Sequence, residues 1–249
     1  QLKSQYTQLC RQKTNWLPRS VIMDPQVNSS IFKFLNKIKE NNNRQWFAKN
    51  KDYYLQEEEK IKSFFTSVFQ ELSSTDVLEG MKVYRIYRDI RFSKDKSPYK
   101  TYRSCGYKRA TKSLRGGYHL EITPDGSFLA VGFWQPNKED LLRIRKEFEL
   151  DGETITEILN TKDIKETFGE FYNRNSLKKA PKGFDKKHPN ITLINKKDFI
   201  LLRKFKNKEV IDKKFYKTVL HSFQVIRPFF DYMSSILTTN LNGESLIDN

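Results

Sequence analysis

Between residues 81 and 134 the chain changes rhythm: side-chain character alternates every second residue, whereas the flanking segments repeat every three to four. A period of two belongs to strands and a period near 3.6 to helices. The order is therefore helices, then consecutive strands, then helices, with no strand–helix–strand alternation to demand parallel pairing. That order predicts an α+β fold: a single domain with a mainly antiparallel sheet flanked by N- and C-terminal helices.

Within this region 118–123 and 127–134 read as a hairpin around Pro124, Asp125 and Gly126. Tyr118, Leu120 and Ile122 share one face of its first arm, and His119, Glu121 and Thr123 share the other. A further strand is expected over 102–110. Residues 82–92 alternate too, with Val83, Arg85, Tyr87, Asp89 and Arg91 on one side and Tyr84, Ile86, Arg88, Ile90 and Phe92 on the other. The second side is mostly apolar and suits a core. Residues 93–98 then form a donor-rich turn, and 73–80 read as a linker.

Outside the strands, Ile31, Phe34, Leu35 and Ile38 mark an amphipathic helix that stops at a run of asparagines. Asn43 is placed to cap a short helix carrying Trp46 and Phe47, read as core aromatics. Ile61, Phe64, Phe65, Val68 and Leu72 stripe a longer helix over 52–72, with Glu57, Glu58 and Glu59 near its start. Helices follow at 138–149, 153–159 and 164–168, an extra strand at 198–205, and closing helices at 208–221 and 222–239. Pro228 is expected to kink the last one or to sit in its first turn. Residues 1–28 read as an N-terminal extension with the start at Met23, 29–240 as the domain, and 241–249 as a tail.

Charge is unevenly spread. The chain carries +16, and 82–115 alone holds twelve Lys or Arg against two Asp, a net of +10. Such a balance favours polyanionic partners, a phosphate-containing small molecule or nucleic acid. The chemistry-bearing cluster is Arg85, Arg88, Asp89, Arg91, Lys94, Asp95, Lys96, Tyr99 and Lys100. Arginine offers a planar fork that matches phosphate or carboxylate. Asp89 is placed to orient one of its arginine neighbours, Lys94 and Lys96 to neutralise charge from the turn, and Tyr99 to donate a hydroxyl. The expected function is therefore a basic anion-binding site. On the structural alternative, the same charges form a buried network that fixes strand register. A loop over 177–190 supplies a possible lid, with Lys179, Lys182 and His188.

Two other readings use neighbouring residues. A metal-assisted phosphodiester hydrolase would take Asp89, Asp95, His119 and Glu121 as ligands. A non-enzymatic nucleic-acid-binding module would use Arg103, Lys108, Arg109, Lys112 and Arg115 as a phosphate track, with Tyr102 and Tyr107 as stacking platforms. The sequence has no nucleotide-binding glycine loop, nucleophile elbow or zinc-protease motif, and it points to no cofactor. His221 reads as a structural histidine. Cys10 and Cys105 make neither a disulfide framework nor a metal site, so a reducing compartment is expected. With no apolar run of membrane-spanning length, the expected location is the cytoplasm. Cys105 has basic neighbours but no evident catalytic partner, so it reads as a packed strand residue.

The pattern R-x-x-R-D-I-R-F-S-K-D-K-S-P-Y-K-T, beginning at Arg85, resembles the signature of the domain of unknown function 2461 family, a conserved hypothetical group. So do NNNRQWF at 41–47, GFWQP at 132–136 and LKKAPKGFDKKHP at 177–189, in the same order. The resemblance covers about residues 30–237 and implies no activity or catalytic residues.

Overall fold

A computed structural model describes residues 24–110, 113–124, 126–172 and 175–247. The N-terminal stretch up to Met23, Lys112 of the expected phosphate track and Asp125 of the hairpin turn lie outside the described residues.

The chain opens with α1 (Ser30–Glu40), α2 (Arg44–Lys49) and α3 (Lys51–Leu72). The side chain of Asn28, not of Ser29 or Ser30, accepts from the Ser30 amide at the start of α1. Asn43 caps α2 by accepting from the Trp46 amide at 2.9 Å. Val27 is buried in the core and Asp24 pairs with Lys217 at 2.9 Å, so part of the expected extension packs with the fold.

Five strands follow in simple sequence order, every neighbour antiparallel: β1 (Leu78–Val83), β2 (Arg103–Arg109), β3 (Gly117–Ile122), β4 (Ser127–Phe133) and β5 (Phe199–Phe205). Between β4 and β5 lie α4 (Lys138–Leu150), α5 (Glu153–Asn160), α6 (Lys162–Phe168) and α7 (Ile191–Ile194). The chain then closes with α8 (Asn207–Val210), α9 (Phe215–Val225) and α10 (Arg227–Thr238). The fold is α+β, with a mainly antiparallel sheet.

Helices pack on one face of the sheet. Cys105, Tyr107, Tyr118, Leu120, Ile122, Leu129, Val131 and Phe133 point there and are buried. Tyr107 donates its hydroxyl to the Phe65 carbonyl of α3. Tyr118 meets Phe223 of α9 and Phe230 of α10, and Phe133 meets Phe229. Aromatic rings supply much of the core area that a 37% hydrophobic chain otherwise lacks.

Three expectations need correction. The strand expected over 82–92 is instead β1, which begins inside the presumed linker and ends at Val83. Beyond it the chain stays beside 98–104 through sparse bonds: Tyr84 N–H to Ser104 O, Lys100 N–H to Ile86 O, and Arg88 N–H to Pro98 O. Pro98 has no N–H to return, so the ladder thins there. The helix expected over 208–221 is broken, because Asp212 accepts from the Lys214 amide and turns the chain before α9. His221 is exposed on α9 and is not a packed structural histidine.

Candidate functional site

The motif expected to bind an anion forms a hairpin arm and turn beyond the β1/β2 edge. Arg91 holds Asp89 through Nε at 3.0 Å and a terminal nitrogen at 2.7 Å. That hydrogen bonding brings the Asp89 carboxyl down to about 2. Asp95 accepts from the Ser97 hydroxyl and amide and from Arg88, and also titrates at about 2. Lys96 donates to the Ile90 carbonyl at 3.0 Å. These side chains brace one another and shape the turn. Arg91 and Asp89 are exposed, so the buried network of the structural alternative does not form. Phe92, expected on a core-facing side, is 96% exposed. Tyr99 is buried, its ring stacked on Phe47 at 3.9 Å.

Because these pairs face water, their truncation costs little. Asp89→Ala and Arg91→Ala are each expected to leave the midpoint of denaturant unfolding close to the parent's. A large drop in that midpoint would assign the pair a structural role.

A concave feature lies on the other face of the sheet, away from the helices. There β2, β3 and β4 present Gly106, His119, Glu121, Phe128, Ala130 and Gly132. A cleft of about 700 Å³ runs over them, bounded by Tyr84 at one side and by Gly116, Trp134 and Asn137 at the other. Register explains the arrangement: Gly106 pairs with His119, His119 with Ala130, and Gly117 with Gly132. Tyr84 lies over Gly106, where an added Cβ would meet its hydroxyl at 3.2 Å.

Within the cleft His119 Nε2 stands 3.7 Å from Glu121 Oε2. The imidazole sits between the rings of Tyr84 and Phe128, each 5.9 Å away. Against the Tyr84 wall the Lys100 ammonium lies 5.5 Å from the ring centroids of both Tyr84 and Tyr102. Burial first, then the nearby Arg103 charge, depress the Lys100 pKa; Glu121 opposes the shift and Arg85 adds to it. Tyr102 is pushed up by burial and by Glu121. Glu121 thus acts on both Lys100 and Tyr102, and Arg85 acts on Lys100. Arg85 is exposed and has no hydrogen bond or ion pair among the described residues.

The expected phosphate track is not assembled. Arg103 and Arg109 are buried on the helix-facing side, where no polyanion reaches them. Arg103 binds Glu58 of α3 through two 2.6 Å bonds. Arg109 binds Asp76 at 2.8 Å. Tyr107 is buried, and Arg115 pairs with Asp140 of α4. Lys108 is exposed but pairs with Glu79. The metal set is not assembled either: Asp89 and Asp95 are taken up by the turn, and no group of three or more His, Cys, Asp or Glu among the described residues is placed to hold a metal ion. Burial raises the Cys105 thiol to about 11, opposite to activation by basic neighbours.

The presumed lid lies elsewhere. His188 Nδ1 accepts from the Asn190 amide, Asn190 donates to the Phe148 carbonyl of α4, and Phe184 sits under Lys146. The loop therefore packs by α4, towards β5, while the basic hairpin leaves the opposite sheet edge. Lys179 and Lys182 are exposed on it.

Of the residues singled out from sequence, the cleft is lined by His119, Glu121 and Arg115, and Lys100 lies against its Tyr84 wall. Tyr84, Phe128 and Trp134 were not foreseen as site residues. Their signal was parity: each shares a strand face, or its continuation, with His119 or its neighbours.

Among the described residues no helix is long and apolar enough to cross a membrane. Comparison with curated proteins and with solved structures finds no match for the chain. The family described as conserved hypothetical protein, domain of unknown function 2461, matches residues 30–232. That span takes in the basic hairpin, the whole sheet and the cleft over it, and the chain belongs to this family.

Proposed function

We propose that the cleft on the uncovered sheet face binds a small organic anion carrying phosphate or carboxylate. Lys100 and Arg85 meet the charged group, and Tyr84, Phe128 and Trp134 hold the rest. The observation that carries this reading is the position of Lys100: a partly buried ammonium against the Tyr84 ring that walls the cleft, with a depressed pKa and no ion pair among the described residues. An anion there relieves a desolvated charge that aromatic faces compensate only in part. Arg85 adds a second cation, exposed and with no hydrogen bond or ion pair among the described residues. His119 and Glu121 supply one polar pair in the cleft and Arg115 with Asp140 another, among the apolar surfaces of Phe128, Ala130 and Trp134, the usual composition of a ligand site.

Thermal melts with pyrophosphate, citrate and sugar phosphates test the reading. At a ligand concentration a hundredfold above Kd, stabilisation is about 2.7 kcal/mol, roughly 5–10 °C for a chain of this size. Lys100→Ala is expected to weaken binding about tenfold or more, the value of one charged hydrogen bond, while its own melting temperature stays near the parent's. No stabilisation by any of these anions at low salt, or equal stabilisation of parent and Lys100→Ala, would overturn the proposal.

A further inference from the structure

The basic hairpin that leaves the sheet edge carries an apolar ring at its tip. The Ile90 carbonyl accepts from the Ser93 amide at 3.4 Å and from the Lys96 ammonium at 3.0 Å. Phe92 therefore sits at the apex of a tight turn over residues 90–93, its ring almost wholly exposed. Arg88 ties the base of that turn by binding both Asp95 and the Ser93 hydroxyl. Arg91 is held by Asp89 just before the apex. A ring left in water contributes nothing to folding by burial, yet this turn is braced so as to present one.

The charge around the ring is of one sign once the internal pairs are set aside. Residues 85–100 hold six Lys or Arg against two Asp, a net of +4. Both acids are taken up, by Arg88 and Arg91. Lys94 is exposed, with no hydrogen bond or ion pair among the described residues. Lys96 is exposed too, and its one hydrogen bond among the described residues goes to a backbone carbonyl, which leaves its charge uncompensated. The Arg91 guanidinium lies 5.9 Å from the Phe92 ring centroid. Phe92, Lys94 and Lys96 do not line the cleft, and they stand apart from the helix-facing side of the sheet where Arg103 and Arg109 are buried.

We infer that this tip docks single-stranded nucleic acid: the Phe92 ring stacks on an unpaired base, and Lys94 and Lys96 meet the phosphates beside it. The inference does not rest on the anion reading of the cleft. A strand of nucleic acid offers a flat face at every base and a negative charge at every link, which an aromatic ring set among cations matches. A duplex hides those faces in its own stack. The arginine forks that would read a base edge, Arg88 and Arg91, are already engaged by Asp95 and Asp89, so binding is indifferent to sequence. An anionic bilayer shares the charge complementarity but gains little from one ring whose neighbours Arg91, Ser93 and Lys94 are all polar.

The test is a fluorescence-anisotropy titration of the full chain with a labelled oligothymidylate and with its oligoadenylate duplex. Co-sedimentation with phosphatidylserine vesicles runs in parallel. The single strand is expected to bind tighter than the duplex at low salt. Two phosphate contacts give a log–log slope of about −1.4, so a fourfold rise in salt weakens binding about sevenfold. Phe92→Ala is expected to weaken binding at least about fivefold, the lower end for one stacked base, while its melting temperature stays at the parent's. Phe92→Trp should restore the affinity, and Lys94→Ala should flatten the slope by about 0.7. The inference is overturned if Phe92→Ala binds the single strand as the parent does, if duplex and single strand bind equally, or if neither binds at low salt. Vesicle binding that needs Phe92, with no binding of the oligonucleotide, also overturns it and makes the tip a lipid contact. None of these failures touches the cleft reading, which the melts with small anions test separately.

Discussion

Arg103→Ala is expected to lower the unfolding free energy by about 3–5 kcal/mol, the cost of leaving one member of a buried ion pair alone. Arg103 on β2 and Glu58 on α3 are both buried, and two 2.6 Å bonds join them across the sheet–helix interface. Lys62 also reaches Glu58 at 3.3 Å but is half exposed, so it only partly neutralises a stranded carboxylate. One guanidinium nitrogen of Arg103 has no partner, so the pair is itself incompletely satisfied. A packed apolar replacement therefore has little to lose. The double variant Arg103→Met with Glu58→Leu should recover most of the stability lost by Arg103→Ala. Denaturant unfolding of parent, single and double variants checks both statements. A single variant within 1 kcal/mol of the parent, or a double variant worse than the single, contradicts them.

Asp76→Ala should be at least as damaging. Its carboxylate accepts from Arg109 Nε at 2.8 Å, from the Tyr118 hydroxyl and from the Val77 amide, and lies 3.2 Å from Arg227. These partners come from β2, β3 and the start of α10, so one side chain ties the sheet to the closing helices. Removing it strands Arg109, which is fully buried and, among the described residues, keeps just the exposed Asp231 at 3.6 Å as a nearby acid. It also leaves a buried tyrosine hydroxyl unpaired, at about 1–3 kcal/mol. Together with the charge term of about 3–5 kcal/mol, this approaches the whole stability of an ordinary domain. The expected result is a chain that is largely unfolded or molten at 25 °C. Asp76→Asn, which keeps an acceptor but no charge, should fall between the two in melting temperature. A folded Asp76→Ala with near-parent stability contradicts this role.

These two pairs also mark where the sequence was readable and where it was not. The hairpin of β3 and β4 was legible because Tyr118, Leu120 and Ile122 alternate cleanly around a proline–glycine turn. Its two arms are neighbours because a short link joins them, whereas β5 reaches the edge of β4 only after four helices. Arg103 and Arg109 were misplaced because charge on a strand reads as exposure. The corrective signal was present. Both arginines share parity with Cys105 and Tyr107, and Glu58 falls on the stripe of Ile61, Phe65 and Val68. An acid on a helix's apolar stripe and a base on a strand's apolar face announce a buried pair. The turn after Arg88 misled differently. Its acids and bases looked like spare donors, yet at two to seven residues apart they satisfy one another.

The cleft was half legible. That His119 and Glu121 point the same way follows from strand parity alone. Which face of the sheet stays open does not, because it depends on where α3, α9 and α10 dock, and those contacts are distant in sequence. Trp134 reads as core by composition, and only the left-handed backbone of Gln135 beside it, with φ of 46°, reveals a ring turned outward.

The claim at the centre of this account is that the open sheet face, and not the basic hairpin or the loop by α4, receives the small anion. The chain has three histidines, and each reports on a different place: His119 in the cleft, His188 in that loop and His221 on α9. Imidazole NMR signals followed during titration with pyrophosphate or a sugar phosphate therefore give the most direct test. The account predicts that the His119 resonances shift saturably while those of His188 and His221 stay in place. Saturable binding that leaves His119 unmoved, or moves His188 instead, contradicts it.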